Sequence, residues 1–318
     1  MSSILSKAKL GCRSGARPPV AVELSPQGAL AAASPGPGQP PVYAFEPLPE
    51  GALVPGIGER NLRAPEVAAN AIRAALGQVS PRTRAVTLLV PDTVVRVFVL
   101  DFDSLPSRPA ETVPVLRFRL RKMIPFDVET AGVSYQVLAE NKTECRVLVA
   151  VIPGLILQEY EAVVREAGYE PGAVLPTSLA ALGVVDTPEA VLAANLGATA
   201  FTTSITHGQD LLLYRTLDLP EDPGLRLQEV QRGIAVAAAY FEDKLGTRPQ
   251  LLYFAGIGAG IGTGGNSAAE EFARWIRSPE VPELTVVDLA PRPETGAATS
   301  LGNVLTLAGV AGALAGAN

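Results

Sequence analysis

The order in which β-rich and helical stretches follow one another constrains this chain more than any single residue does. Val191–Leu196, Ala200–His207 and Leu211–Leu217 are three consecutive β-rich runs joined by Gly-containing turns. A long helical stretch, about Leu225–Leu245, comes next. A strand at Leu251–Phe254, a helix at Ala268–Ile276, a strand at Leu284–Val287 and a C-terminal helix complete this half. The first half has a similar layout. Val20–Leu24 reads as a strand and Glu66–Leu76 as a helix with Pro65 near its N-terminus. Between Ser34 and Pro41, prolines and glycines are too dense for a helix or a central strand. Arg84–Val90 and Val94–Leu100 are predicted to pair as a hairpin across Pro91-Asp92-Thr93. A helix over Thr112–Met123 ends before Ile124-Pro125. Strands at Gly132–Leu138 and Arg146–Ile152, and a helix at Gly154–Ala167 closed by Gly168, follow. Val174–Leu175 is a short strand and Ser178–Gly183 opens a further helix. This order predicts an α/β protein of mixed sheets covered by helices, in two domains.

Composition narrows the function classes. With 47% apolar and 18% charged residues among 318, the chain is globular rather than disordered. Its formal net charge of −6 argues against nucleic-acid binding. The one dense basic run, Arg117, Arg119, Arg121 and Lys122, reads as a solvated helix face, with a phosphate- or partner-binding face as the alternative. Cys12 and Cys145 make no disulfide framework, and His207 as the single histidine excludes a multi-histidine metal site. His207 precedes Gly208 and is expected in an exposed turn; Asp101 and Asp103 read as a strand-end turn. Residues 1–17 are expected to form a flexible arm. No apolar stretch follows Lys7, Lys9 and Arg13 as a secretion signal requires. The uncharged stretch Gly296–Asn318 is too rich in Gly and Ala to suggest a membrane span and is expected to be a buried helix. A soluble, cytoplasmic protein is expected.

Two segments carry more than pattern. Leu116-Arg117-Phe118-Arg119-Leu120-Arg121-Lys122-Met123-Ile124-Pro125-Phe126-Asp127, followed by Val133–Leu138, resembles the helix–Ile-Pro-Phe–strand element of PilM-type pilus-assembly proteins. In that family the element lies in a small subdomain inserted into the first half, as in the cell-division protein FtsA. Asn195-Leu196-Gly197-Ala198, before the Phe201–Ile205 strand, looks like the second phosphate loop of actin-like ATPases, usually Asp-Ile-Gly-Ala. Phe254-Ala255-Gly256-Ile257-Gly258-Ala259 resembles their Gly-rich adenosine loop.

The resemblance covers roughly residues 18–318. It implies an actin-like two-domain ATPase fold with an FtsA-type insertion. The first domain would span 18–190, with the insertion at about 107–170, and the second 191–318. It implies a nucleotide site at Glu23, Ser25, Asn195, Gly197, Ala198, Thr199, Gly256 and Gly258. Each loop departs from the chemistry that Mg-ATP needs. Glu23-Leu24-Ser25-Pro26-Gln27-Gly28 has Ser25 at the tight-turn Gly and no following lysine, and Pro26 deletes a donor. Asn195 brings no charge to magnesium, and Ile257 replaces a Gly. The expectation is therefore a pseudo-ATPase scaffold, with ATP and magnesium bound weakly or not at all. By resemblance it would work in type IV pilus assembly, cytoplasmic and peripheral to the inner membrane, which it would reach only through partners. Those partners would be the N-terminal peptide of a PilN-like bitopic membrane protein and other inner-membrane pilus components. Arg117, Arg121, Ile124, Pro125 and Phe126 are the candidate partner-binding residues. An active ATPase or kinase of the same clan and a GspL-like component of type II secretion are the alternatives.

Overall fold

The computed structural model describes residues 17–36, 39–141, 143–208, 210–256, 268–290 and 306–317. The expected arm at 1–17 therefore lies outside the described residues except for Arg17. So do Ile257 and Gly258 of the expected adenosine loop.

Two five-stranded sheets of matching topology form the two halves. The first contains β1 (Val20–Ser25), β2 (Gly28–Ala33), β3 (Val42–Pro47), β4 (Ala85–Val90) and β8 (Glu170–Pro176), in the order β3-β2-β1-β4-β8. The second contains β9 (Ala190–Leu196), β10 (Ala200–His207), β11 (Asp210–Asp218), β12 (Leu251–Gly256) and β13 (Thr285–Asp288), in the order β11-β10-β9-β12-β13. In each, a three-stranded antiparallel meander is extended by two parallel strands. A smaller sheet, β5-β7-β6, joins β5 (Arg96–Phe102), β6 (Gly132–Glu140) and β7 (Cys145–Ile152). It is packed by α2 (Pro109–Leu120) through Leu116 and Leu120.

Alternation along β1 sorts its residues between two cores. Val20, Val22 and Leu24 face α1 (Pro65–Val79) and α3 (Gly154–Glu166). Ala21 faces the opposite layer, where the last helix, α7 (Ala308–Ala315), returns to cover the first sheet. In the second half, Leu192, Ala194 and Leu196 face α5 (Pro223–Leu245) and α6 (Ala268–Trp275). Val191 and Ala193 face a third cluster, in which Leu148 of the small sheet meets Leu179, Leu211 and Tyr214. That cluster joins the two halves by apolar contact.

One expectation is corrected. Arg84–Val90 and Val94–Leu100 do not form a hairpin. β4 pairs in parallel with β1 and β8, whereas β5 pairs with β7 in another sheet. A single 3-10 turn at Asp92–Val94 redirects the chain, and Thr93 and Val94 are buried within it. β2 is an all-buried run of Gly, Ala and Leu, whose small side chains give little strand signal in sequence. The strands of the small sheet lie between Arg96 and Ile152. Ile156, Tyr160 and Val163 of α3 belong to the first core.

Close approach makes Gly312 of α7 irreplaceable. A Cβ there would stand 2.0 Å from the Ala180 carbonyl oxygen in α4 (Thr177–Ala181). Helix propensity alone favours alanine over glycine by about 1 kcal/mol. Gly312→Ala should nonetheless lower stability by roughly 1–3 kcal/mol, because the helix must back away from α4. Gly77→Ala in α1, where a Cβ meets nothing within 4 Å, should be neutral or raise stability by a few tenths to about 1 kcal/mol. Chemical denaturation of the two variants checks the contrast.

Candidate functional site

A cleft between the halves collects most of the residues expected at a nucleotide site. Glu23, Ser25, Asn195, Gly197, Ala198 and Thr199 all line it. The β1–β2 turn forms one wall and the β9–β10 turn the other. Gly256 is not among the lining residues. It ends β12 beside Leu196, whose carbonyl oxygen would stand 2.8 Å from a Cβ at that position, so close packing accounts for it. The β9–β10 turn is tight, since the Gly197 N–H donates to the Ala200 carbonyl at 2.9 Å. Arg226 of α5 donates to the carbonyls of Ala198 at 2.7 Å and Gly197 at 2.8 Å, and burial lowers its pKa.

The cleft also contains a residue that sequence reasoning passed over as part of a turn. Asp92 follows β4, and its carboxylate accepts three hydrogen bonds. The Ser178 hydroxyl donates at 2.6 Å, the Ser178 N–H at 3.1 Å and the Tyr214 hydroxyl at 3.1 Å. Burial raises the Asp92 pKa, and these donors oppose the rise. Burial, with the Asp92 charge, raises Tyr214 well above its ordinary value. The Glu23 carboxyl sits deeper, facing α7. Its Oε2 has no hydrogen-bond partner and would lie 2.9 Å from a Cβ at Gly309. Burial first, then the Asp92 charge, push Glu23 up to about 8, a rise that Thr177 partly offsets. At neutral pH this carboxyl therefore keeps its proton.

Several features of the described part of the cleft depart from what Mg-ATP needs. Among the described residues, no lysine or arginine lines the cleft. Asn195 brings no charge to a hard cation, and the Asp92 carboxylate that also lines the cleft is already engaged by Ser178 and Tyr214. Pro26 offers no N–H to a phosphate. The space is about 70 Å³, whereas pockets for ligands of this size run to roughly 300–1,000 Å³. The halves close on each other directly. Besides the Tyr214–Asp92 bond, Arg96 of β5 pairs with Asp218 of β11 at 2.8 Å.

A second concavity, about 560 Å³, lies between the first core and the small sheet. α3 forms its floor, residues 57–62 one wall and Phe126, Asp127 and Thr130 the other. The loop wall is held rigidly. Glu159 accepts from the N–H groups of Asn61 and Leu62, both at 2.9 Å. Asn61 in turn donates to the carbonyls of Gly56 at 2.9 Å and Glu59 at 2.8 Å. Leu155, on the first turn of α3, is 80% exposed at its rim. Glu59, Asp127, Glu159 and Glu166 line the groove against a single cation, Arg60, so its charge is negative.

Of the five expected partner-binding residues, only Phe126 lines this groove. Ile124 is buried in the core of the small sheet. Arg117 donates to the Ala131 carbonyl at 2.9 Å, Arg121 pairs with Glu129 at 2.8 Å, and Pro125 is exposed nearby. Leu155 and the 57–62 loop were not legible in the sequence. Leu155 follows the expected periodicity of an ordinary helix start, and the loop has no motif.

No protein-family model matches the sequence, and no curated protein matches it. Solved structures do match. The PilM-PilN type IV pilus biogenesis complex aligns with a TM-score of 0.71 at 19% identity, over 94% of this chain and 98% of that one. Two looser likenesses are the cytoplasmic domain of EpsL, an inner-membrane component of the type II secretion system of Vibrio cholerae (TM-score 0.46, 16% identity, 74% and 81% covered), and the ethanolamine utilization protein EutJ from Carboxydothermus hydrogenoformans (TM-score 0.46, 10% identity, 96% and 92% covered). The fold is that of the actin-like ATPases, and its resemblance to the PilM type holds in three dimensions. Among the described residues, no helix is long and apolar enough to cross a membrane.

The Glu23 carboxyl gives a signed pH prediction. Its pKa is raised on folding from 4.5 to about 8, so its stabilising contribution is complete below 4.5 and is lost as pH rises through 8. Glu23→Gln removes this dependence. The variant should match the parent near pH 4.5 and exceed it at pH 8.5 by on the order of 3 kcal/mol. Thermal unfolding across that range measures the difference.

Proposed function

We propose that this chain is a cytoplasmic scaffold of type IV pilus assembly whose working surface is the groove between the first core and the small sheet. In this reading, the groove receives the N-terminal cytoplasmic peptide of a PilN-like bitopic protein of the inner membrane. The observation that carries it is the contrast between the two concavities. The groove has about 560 Å³, a braced loop wall and an exposed apolar anchor, whereas the interdomain cleft has about 70 Å³. The likeness to the PilM-PilN complex supports the choice of partner.

The lining suggests what the peptide presents. Phe126 and Leu155 offer apolar contact at the two sides, and a side chain seated between them would be largely desolvated, the setting in which few residues dominate binding. The excess of carboxylates favours a peptide with basic residues next to its apolar anchor. Peptide capture by a preformed groove needs no nucleotide. Weak or absent ATP hydrolysis follows from the poor fit of the cleft to Mg-ATP.

Leu155→Asp should weaken peptide binding at least tenfold, since it removes an apolar contact and adds a fifth carboxylate to the groove. Because Leu155 is exposed, the thermal midpoint should not move. Phe126→Ala should weaken binding by a similar factor with a modest loss of stability, because Phe126 also packs on the small-sheet core. Titration of the labelled peptide into each variant reads both effects. Unchanged affinity in Leu155→Asp would remove the groove from the account. A thermal midpoint raised by Mg-ATP would favour the ATPase reading instead.

A further inference from the structure

The outer face of α2 is apolar as well as the inner one, and the core accounts for only the inner. Leu116 and Leu120 fill the small-sheet core with Ile124 and Val128. On the opposite side Phe118 is 75% exposed, and Val115 and Met123 are also exposed. Val115 and Phe118, three residues apart on α2, share one stripe with Arg119 beside it, and Lys122 lies in the turn that directly follows the helix. Arg119 and Lys122 are exposed and make no ion pair among the described residues, unlike Arg121, which is held by Glu129. The one carboxylate on this part of the helix, Glu111, lies 3.7 Å from Arg108 at the far end. The face is thus a convex ridge with a protruding aromatic, two uncommitted cations and no opposing wall. The grooves on either side include Met123 and Phe126 but none of Val115, Phe118, Arg119 and Lys122.

We infer that this ridge is a docking surface for an anionic lipid bilayer, with Phe118 seated at the headgroup boundary and Arg119 and Lys122 against lipid phosphates. Charge complementarity identifies the occupant. The chain carries a net charge of −6, so an anionic surface repels most of the molecule and attracts this ridge, which fixes the orientation of approach. Phe with neighbouring Arg and Lys are residue types that contact lipid headgroups at membrane interfaces. A protein partner would need a concavity of its own to enclose Phe118, because this surface offers none. The inference does not depend on the peptide groove or on a role in pili.

Co-sedimentation of the full chain with lipid vesicles tests it. The chain should bind vesicles of phosphatidylcholine containing phosphatidylserine, fail to bind vesicles of phosphatidylcholine alone, and be released by salt. Each cation near an anionic surface accounts for roughly a fivefold change in affinity, so Arg119→Glu with Lys122→Glu should reduce binding by ~30-fold or more. Phe118→Ser should also reduce it, whereas Leu225→Ser, a change at an exposed leucine on α5, should not. All of these positions are exposed, and unchanged thermal midpoints will show that the variants fold. Absence of binding to the anionic vesicles would overturn the inference, as would binding that survives the double charge reversal. Self-association that Phe118→Ser abolishes, in a chain that ignores vesicles, would assign the ridge to a second copy instead.

Discussion

The Asp92 carboxylate ties together parts of the chain that lie 86 and 122 residues from it in sequence. It stands at the end of β4 in the first sheet, takes two hydrogen bonds from Ser178 at the start of α4, and takes a third from Tyr214 in the second sheet. α4 leads out of the first sheet toward the second, so these bonds fix both the connection and the closure. A buried carboxylate that lost a donor would be left with an unpaired charge, which costs far more than one ordinary hydrogen bond. The apolar cluster of Leu148, Leu179, Leu211 and Tyr214 lies against the same junction. Closure of the two halves therefore rests on contacts within the protein.

Glu23 follows from the same geometry. Alternation along β1 sends Val22 and Leu24 to one core and leaves Glu23 on the opposite face, under α7 and near Asp92. Two carboxyl groups in such a place cannot both be ionised cheaply, and Glu23, with an oxygen that has no partner, is the one that keeps its proton. Burial and the neighbouring Asp92 charge both push the Glu23 pKa upward at this position. The departures from Mg-ATP chemistry at Ser25, Pro26 and Asn195 are visible in the sequence.

Much of the fold was legible because period-2 and period-3.6 patterns dominate the second half, where β9, β10 and β11 and the long α5 fall close to their expected limits. The first half was harder to read for identifiable reasons. β2 consists of Gly, Ala and Leu buried on both faces, so it shows neither alternation nor β-branched residues. The supposed hairpin across Asp92 has the local composition of a turn, and only the tertiary pairing of β4 with β1 and β8 shows that the chain changes sheets there. The positions expected at a nucleotide site that line the cleft could be picked out because a short motif marks them. The groove beside the small sheet could not, since its wall depends on Glu159 reaching across to Asn61 and Leu62, a contact between segments 97 and 98 residues apart.

The central claim is that the protein works through a preformed groove and not through a nucleotide-driven closure. Titrating the N-terminal cytoplasmic peptide of a PilN-like bitopic membrane protein, with and without Mg-ATP, tests it directly. The account predicts saturable binding with the same affinity in both conditions. Absence of binding, or binding that requires Mg-ATP, would contradict it.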